Sequence, residues 1–396
     1  MKKNILFVMN NLTCGGAEKA LISLLETIDY SMYNVDLFLF KHEGLFFSKI
    51  PKQVNLLEEP FEYKYFDMSI KKAMVDCIKK GRVDIALSRV FAGYIFKREK
   101  NRARCEQRVW KYISKSLKAI DKRYDAAIGF LEKNPIYFCI DKVKANKKIG
   151  FIHTDYDKLG MDPDIDVKYF GKLDNIITVS NECVNILKQR FPMYNKKIEL
   201  MYNIVSPKII NKMALMEVDI KRNGIITIVS VGRLHYAKGF GMAVEACEML
   251  IRNGYNVRWY VVGEGEEREK LEKLIKDKNL EKVFILMGLK ENPYPYIKQC
   301  DIYVQTSLFE GQCLTITEAK ILNKPIVSTN FPVIYDQLNN EKNGLVVNQD
   351  STSIYEGIKK LIDDDKLRNR LIGNLSKEKL GTESEIQKLY ELIKAV

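Results

Sequence analysis

The chain is 396 residues long, with 64 Lys/Arg against 51 Asp/Glu and a formal net charge of +13. That length exceeds one ordinary hydrophobic core and argues for two domains, while no apolar run approaches the roughly 20 residues that would span a bilayer. Eight cysteines are scattered singly, with no C-x-x-C and no Cys/His ligand spacing, which argues against a disulfide framework or a metal site and fits a reducing cytoplasm. The positive charge favours an anionic partner without choosing among nucleic acid, membrane and phosphorylated substrate.

The start, Met1 to Met9, has a charged head and an apolar stretch. The run is short and Asn10-Asn11 interrupts it, so it reads as a first strand, Ile5–Met9, rather than a secretory leader. A polar loop follows, Asn10–Gly16, and then a helix, Ala17–Ile28, with apolar residues at Ala20, Leu21, Leu24, Leu25 and Ile28. Val35–Phe40 is the next strand. From His42 to Tyr124 the pattern predicts several helices and no clean strand. Within it, Lys97 to Arg123 carries eleven Lys/Arg and three Asp/Glu, with Trp110, Tyr112, Ile113, Leu117 and Ile120 interleaved. That is a basic amphipathic helix, its apolar side turned either to its own domain or to an anionic membrane. Ala126–Leu131, Lys148–Ile152 and Asn175–Val179 read as strands. Ser180-Asn181 caps a helix through about Arg190, and Ile198–Met201 is a short strand.

Periodicity fails between Ile204 and Gly224, where a domain linker is expected. The second half then alternates regularly: strand Ile225–Val231, helix Phe240–Arg252 ended by Asn253-Gly254, strand Val257–Val262, turn Gly263–Gly265 and charged helix Glu266–Lys278. Further strands are Val283–Met287, Ile302–Gln305, Pro325–Ser328 and Gly344–Val347. Such alternation predicts an α/β fold of parallel sheets covered on both faces, which bind ligands at the carboxyl ends of their strands.

The residues with chemical potential lie at those ends. Gly15-Gly16 join the first strand to the first helix, where a backbone can approach a ligand and free N–H groups attract anions; Glu18 in the first turn complements the helix dipole. Arg233 and Lys238, five residues apart on one loop and flanked by Gly232 and Gly239, can hold a diphosphate. Gly263-Glu264-Gly265 is a turn, not a dinucleotide fingerprint, because Arg268 stands at the third glycine's place. Glu310 and Glu318 sit eight positions apart around a glycine turn, with Gly311, Gln312 and Cys313 offering backbone N–H groups to phosphate or sugar oxygens and Leu314 opening the helix. His153 ends a strand. The run Asp162-Pro163-Asp164-Ile165-Asp166 lacks the glycine and distal glutamate of a calcium loop and reads as an acidic loop.

Together these residues resemble the retaining glycosyltransferases of family 4, most strongly from Ile225 to Val347. Gly15-Gly16 match that family's loop after the first strand, Val231 to Gly239 its Val-Gly-Arg-Leu…Lys-Gly segment, and Glu310 with Glu318 its glutamate pair. Two places depart: Gln312-Cys313 stand where many members have an aromatic residue followed by Gly or Pro, and Asn203-Ile204-Val205-Ser206 keeps only the asparagine of an Asn-Gly-Val/Ile-Asp pattern. The resemblance implies the GT-B fold, two Rossmann-like domains whose parallel sheets face across a cleft. Its expected domains are 1–204 on the acceptor side, with a helical insertion about 41–124; 205–380 for the nucleotide sugar; and a helix over 381–396, about Ser384 to Val396, crossing back. It assigns the donor diphosphate to Arg233 and Lys238, the ribose to Glu318, and the transferred sugar to Glu310 and His153. Gly15, Gly16, Gly263, Gly311, Gln312, Cys313 and Leu314 complete the donor site. It further implies metal-independent chemistry with no cofactor, and front-side attack in which the leaving phosphate takes the acceptor proton.

The function expected is transfer of a sugar from a nucleoside diphosphate, UDP first, to a saccharide or polyprenyl-linked acceptor in cell-surface polysaccharide or capsule synthesis. The enzyme is expected in the cytoplasm or peripherally on the inner face of the membrane, through Lys97–Arg123. A glycosyl phosphorylase or polyol-phosphate transferase on the same fold is the nearest alternative. A nucleic-acid-binding protein has only net charge in its favour.

Overall fold

The computed structural model describes residues 2–13, 15–220 and 224–394. Position 14 of the expected first loop, 221–223 of the expected linker and the last two positions of the expected terminal helix lie outside the described residues. The chain divides into two compact units, Met1–Tyr202 with Ser384–Val396, and Asn203–Glu383.

Unit 1 is built on strands β1 (Lys3–Met9), β2 (Tyr33–Leu39), β3 (Asn55–Leu56), β4 (Ile120–Gly129), β5 (Val143–Ile152), β6 (Asn175–Thr178) and β7 (Ile198–Leu200). They form one seven-stranded sheet in the order β3-β2-β1-β4-β5-β6-β7, every pair parallel. Its helices up to β7 are α1 (Gly16–Thr27), α2 (Ile70–Lys79), α3 (Val83–Arg98), α4 (Arg102–Ser116), α5 (Asn134–Lys142), α6 (Tyr156–Leu159), α7 (Pro163–Phe170) and α8 (Asn181–Arg190). Ile5 to Met9 are wholly buried, as a strand covered on both faces requires. Ser180 caps α8 by accepting from the Cys183 N–H, a contact typically worth about 1 kcal/mol.

Unit 2 runs α9 (Pro207–Met213), β8 (Ile226–Val231), α10 (Phe240–Arg252), β9 (Val257–Val262), α11 (Arg268–Asp277), β10 (Phe284–Leu286), α12 (Tyr294–Gln299), β11 (Ile302–Gln305), α13 (Leu314–Ile321), β12 (Ile326–Thr329), β13 (Leu345–Val347), α14 (Ser351–Asp363) and α15 (Asp365–Leu375). Its six-stranded sheet has the order β10-β9-β8-β11-β12-β13, again parallel throughout. The core around α10 and α14 includes Trp259, Leu250, Ile354 and Ile358. The last helix, α16 (Ile386–Lys394), belongs to unit 1: Tyr390 stacks on Tyr33 at 4.9 Å and its hydroxyl accepts from the Asp29 N–H at 2.7 Å.

Both sheets change direction once. In unit 1 the chain adds β2 and β3 on one side of β1 and then returns to place β4 on the other; in unit 2 it does the same around β8, with β11 on the far side. Loops diverge at such a switch point and leave a crevice at the carboxyl ends of the two central strands.

Three local expectations are corrected. The stretch 97–123 is not one helix. It is the end of α3, a break at Glu99–Asn101, α4, and the start of β4. Asn101 caps α4 by accepting from the Arg104 N–H at 2.9 Å. The apolar residues Val109, Trp110 and Ile113 are buried in the unit's own core, so that side of α4 is turned to its own domain. The acidic run at 162–166 is a helix start: Asp162 caps α7, Pro163 takes the first position, and Asp166 is a core residue held by the hydroxyls of Tyr137 and Tyr156 and by Gln107. An Asp-Pro pair is the ordinary signature of such a start. Finally, the expected linker contains α9, opened by Pro207.

Candidate active site

The site of unit 2 lies on the two loops flanking its switch point. After β8 the chain passes Gly232 and Arg233, then makes one short helical turn, Tyr236–Lys238, capped by His235. The His235 ring accepts from the Ala237 N–H at 3.1 Å; burial lowers its pKa, which keeps that nitrogen free to accept. Gly239 ends the turn at φ +63, where a Cβ would stand 2.2 Å from the Thr306 carbonyl. Thr306, just past β11, donates its hydroxyl to the Lys238 carbonyl at 2.7 Å, and the Leu308 N–H donates to the Ala237 carbonyl at 2.7 Å. The β8 and β11 loops are thus tied together, and Lys238 is fixed where they meet.

Its ammonium donates to the Glu310 carboxylate, the two side chains being 22% and 13% exposed. Burial works against the Lys238 charge, but the adjacent Glu310 carboxylate prevails and raises its pKa, so the ammonium persists at neutral pH. The same Glu310 oxygen accepts from the Ser307 hydroxyl at 2.6 Å. Ser307 in turn accepts from the Gln305 amide at 2.7 Å. The Gln305 carbonyl oxygen accepts from the Tyr303 hydroxyl at 2.8 Å and the Thr315 hydroxyl at 3.1 Å. A buried glutamine therefore orients the carboxylate through one serine.

The other expected residues fall around this pair. The aliphatic stem of Lys238 lies 3.4 Å from where a Cβ on Gly232 would be, and a Cβ on Gly263 would stand 1.8 Å from the Gly232 carbonyl, so Gly263 admits the close approach of two loops. Arg233 is exposed, and among the described residues its guanidinium has no carboxylate or carbonyl partner. Glu318 is 1% exposed on α13, within electrostatic reach of Tyr303, whose phenol burial raises well above its ordinary pKa. The Gln312 side chain accepts from the Asn203 N–H at 3.1 Å. One expectation is corrected: the Cys313 N–H is not on offer to a ligand, because it donates to the Gln337 side chain at 3.1 Å, and the Leu314 N–H donates to the Gln312 carbonyl. Burial pushes the Cys313 thiol up to about 12, so it is an inert packing group.

In unit 1, Gly16 opens α1, and Glu18 folds back to accept from the Thr13 hydroxyl at 3.1 Å. His153, just past β5, lies tilted against Phe130 at 4.8 Å and stacks on Phe151 at 5.8 Å. Burial lowers its pKa to about 3, against a smaller opposing pull from the Phe130 backbone, so the ring is neutral. No group among the described residues forms a well-aligned hydrogen bond to either ring nitrogen, nor to the Asn10 side-chain oxygen past β1. The His153 N–H donates to Glu132, past β4, at 3.1 Å. Buried polar atoms without partners, on the loops after β1 and β5, are what a polar ligand would satisfy. Sequence reasoning missed Gln305, Ser307 and Glu132, which carry no local motif. Among the described residues no cluster of His, Cys, Asp and Glu has a metal-ligand arrangement, and no helix is long and apolar enough to cross a membrane.

The family model "Glycosyl transferases group 1" matches residues 215–378, most of unit 2. The N-acetylgalactosamine-N,N'-diacetylbacillosaminyl-diphospho-undecaprenol 4-alpha-N-acetylgalactosaminyltransferase of Campylobacter jejuni is 31% identical over 201 residues, 50% of this chain and 53% of that protein. The poly(ribitol-phosphate) alpha-N-acetylglucosaminyltransferase of Staphylococcus aureus is 30% identical over 174 residues, 41% of this chain and 34% of that protein. The chain thus spans about half the length, or less, of these curated relatives. Among solved structures, Anabaena HepE in complex with UDP superposes with a TM-score of 0.69 at 15% identity, covering 100% of both chains. A mutant of S. aureus TarM with UDP and alpha-GlcNAc-glycerol superposes with a TM-score of 0.66 at 16% identity, over 99% of this chain and 100% of that one. The chain has the GT-B fold, and residues 215–378 of its second unit match the group 1 glycosyl transferase model.

Proposed function

We propose that the protein is a retaining glycosyltransferase that moves a sugar from a nucleoside diphosphate, UDP before other bases, to the hydroxyl of a saccharide acceptor carried on a lipid. The single observation that carries this reading is the charged Lys238 ammonium held against Glu310 at the switch point of unit 2, beside an Arg233 guanidinium that has no carboxylate or carbonyl partner among the described residues. In this reading Arg233 and Lys238 neutralise the diphosphate as charge grows on it, Glu310 meets hydroxyls of the transferred sugar, and Glu318 the ribose. In unit 1, neutral His153 can donate or accept one hydrogen bond to a sugar hydroxyl. The bond from the anomeric carbon to phosphate breaks while the acceptor oxygen bonds on the same face, and the leaving phosphate takes the acceptor proton. No metal is needed in this course, because the two cations supply the counter-charge.

The lipid-linked acceptor is supported by the C. jejuni relative, whose name specifies a diphospho-undecaprenol substrate. Turnover of Lys238→Ala and Glu310→Ala with a competent donor and acceptor tests the reading. Each loss should be about 10²–10³-fold, the usual effect of removing one preorganised charge-stabilising group. Near-normal rates for both would refute it.

A further inference from the structure

Helix α3 carries apolar residues on both sides, its inner side also holding buried Ser88 and Arg89. Ile85, Ala86, Ala92 and Gly93 face inward and are buried. Val83, Leu87, Val90, Phe91 and Tyr94 recur at helical spacing on the opposite side and are 57, 56, 44, 55 and 57% exposed. A contiguous exposed apolar stripe marks a surface that something covers. Phe91 extends the stripe onto α4 by stacking on Tyr112 at 5.5 Å. On the neighbouring α2, Val75 and Ile78 are 54 and 60% exposed, between Lys71 and Lys79 on the helix surface.

The border of this face is cationic. Ile70 to Arg104 contains eleven Lys/Arg and three Asp/Glu. The α3 stripe runs directly into Lys97 and Arg98, and Arg98 lies over the Tyr94 ring at 4.5 Å. Lys71, Lys72, Lys79, Lys97 and Lys100 are exposed and have no carboxylate partner among the described residues. Apolar and aromatic side chains bordered by long cations suit an interface of acyl chains and anionic headgroups: the rings enter the boundary while the lysines reach the phosphates. A second copy of the chain docking on the same face would set one unpaired cationic border against another, which is unfavourable.

We propose that the outer face of α3, bordered by the cations of α2 and of the α3–α4 junction, docks on an anionic membrane surface. The segment 97–123 supplies part of the charge, but the apolar contact comes from the preceding helix. The inference stands independently of the sugar-transfer reading, since binding is measured without donor or acceptor.

The full chain is sedimented with vesicles of phosphatidylcholine alone and with added phosphatidylglycerol. Three variants are compared with the parent: Leu87→Ser/Phe91→Ser/Tyr94→Ser, Lys71→Glu/Lys72→Glu/Lys97→Glu, and the control Lys273→Glu/Lys276→Glu on α11. All substituted side chains are exposed, and circular dichroism checks that each variant is folded. The parent should bind only anionic vesicles. The α3 variant should lose most binding, and the charge variant should lose roughly fivefold or more per cation. The control, which reverses charge on unit 2, should bind like the parent. Equal binding by all four proteins overturns the proposal, as does absence of vesicle binding, whether the parent is then monomeric or is a dimer that the α3 variant dissociates.

Discussion

The Lys238 ammonium and the Glu310 carboxylate, 72 residues apart in sequence, form an ion pair at the carboxyl ends of two adjacent strands. Neither side chain is fully in water, so each depends on the other. Removing the lysine leaves a largely buried carboxylate held by the Ser307 hydroxyl and, at 3.5 Å, by the Gln305 amide. We expect Lys238→Met to cost about 1–3 kcal/mol of folding stability, and Lys238→Met/Glu310→Leu to cost less than the sum of the two single changes. Urea unfolding of the four proteins in the cycle measures this; strict additivity would mean that the pair does not couple.

Gln305 orients Glu310 through Ser307 and also satisfies Tyr303 and Thr315. Its replacement by Leu removes the acceptor of the buried Tyr303 hydroxyl and of the half-buried Thr315 hydroxyl, and frees Ser307 to rotate. The expected loss is about 1–3 kcal/mol in unfolding free energy. The same variant should be a poorer enzyme at temperatures where it is fully folded, which a comparison of kcat values checks.

Gly239 can be replaced only at a cost. Its φ of +63 is unfavourable for any L side chain, and a Cβ would press on the Thr306 carbonyl at 2.2 Å. Gly239→Ala should therefore lower stability by more than about 1 kcal/mol and displace Lys238. A thermal melt equal to that of the parent would contradict the tight junction of the two loops.

The pH dependence of unit 1 has a signature at His153. The folded state holds its pKa near 3, below its ordinary value of 6.5. Below pH 6.5 the unfolded chain takes up a proton that the folded protein refuses until about pH 3. This group therefore leaves stability unchanged above pH 6.5 and lowers it progressively as the pH falls through that window. Asp166, whose carboxyl burial pushes up to about 6, acts in the opposite sense over part of the same range. The signal is thus the difference between parent and His153→Gln: the variant should gain on the parent as pH falls from 6.5 to 4. A constant difference would show that His153 titrates normally.

How much of this was legible in the sequence depended on distance along the chain. Helix α10 and strands β9 and β11 occupy their expected residues, because apolar periodicity and the Asn253-Gly254 stop are local signals. Gly232, Arg233 and Lys238 were legible as a cation-bearing loop for the same reason. Gln305 was not, because an amide at a strand end acquires its role only when Tyr303, Ser307 and Thr315 fold around it. The Cys313 N–H could not be judged without Gln337, which arrives from a turn beyond β12. Segment 97–123 misled as a single helix because charge and apolar spacing cannot say which apolar neighbours are already covered, and the exposed stripe lies on the preceding helices α2 and α3.

The central claim is that Arg233 and Lys238 hold the diphosphate of a nucleotide. Calorimetric titration of the parent and of Arg233→Ala/Lys238→Ala with UDP, GDP, ADP and CDP tests it most directly. The account predicts that the parent binds at least one of the four, UDP first, and that the double variant binds it at least tenfold more weakly, the loss of about 1.4 kcal/mol expected from even one charge-assisted contact. Equal affinity in parent and double variant, or a parent that binds none of the four, would contradict it.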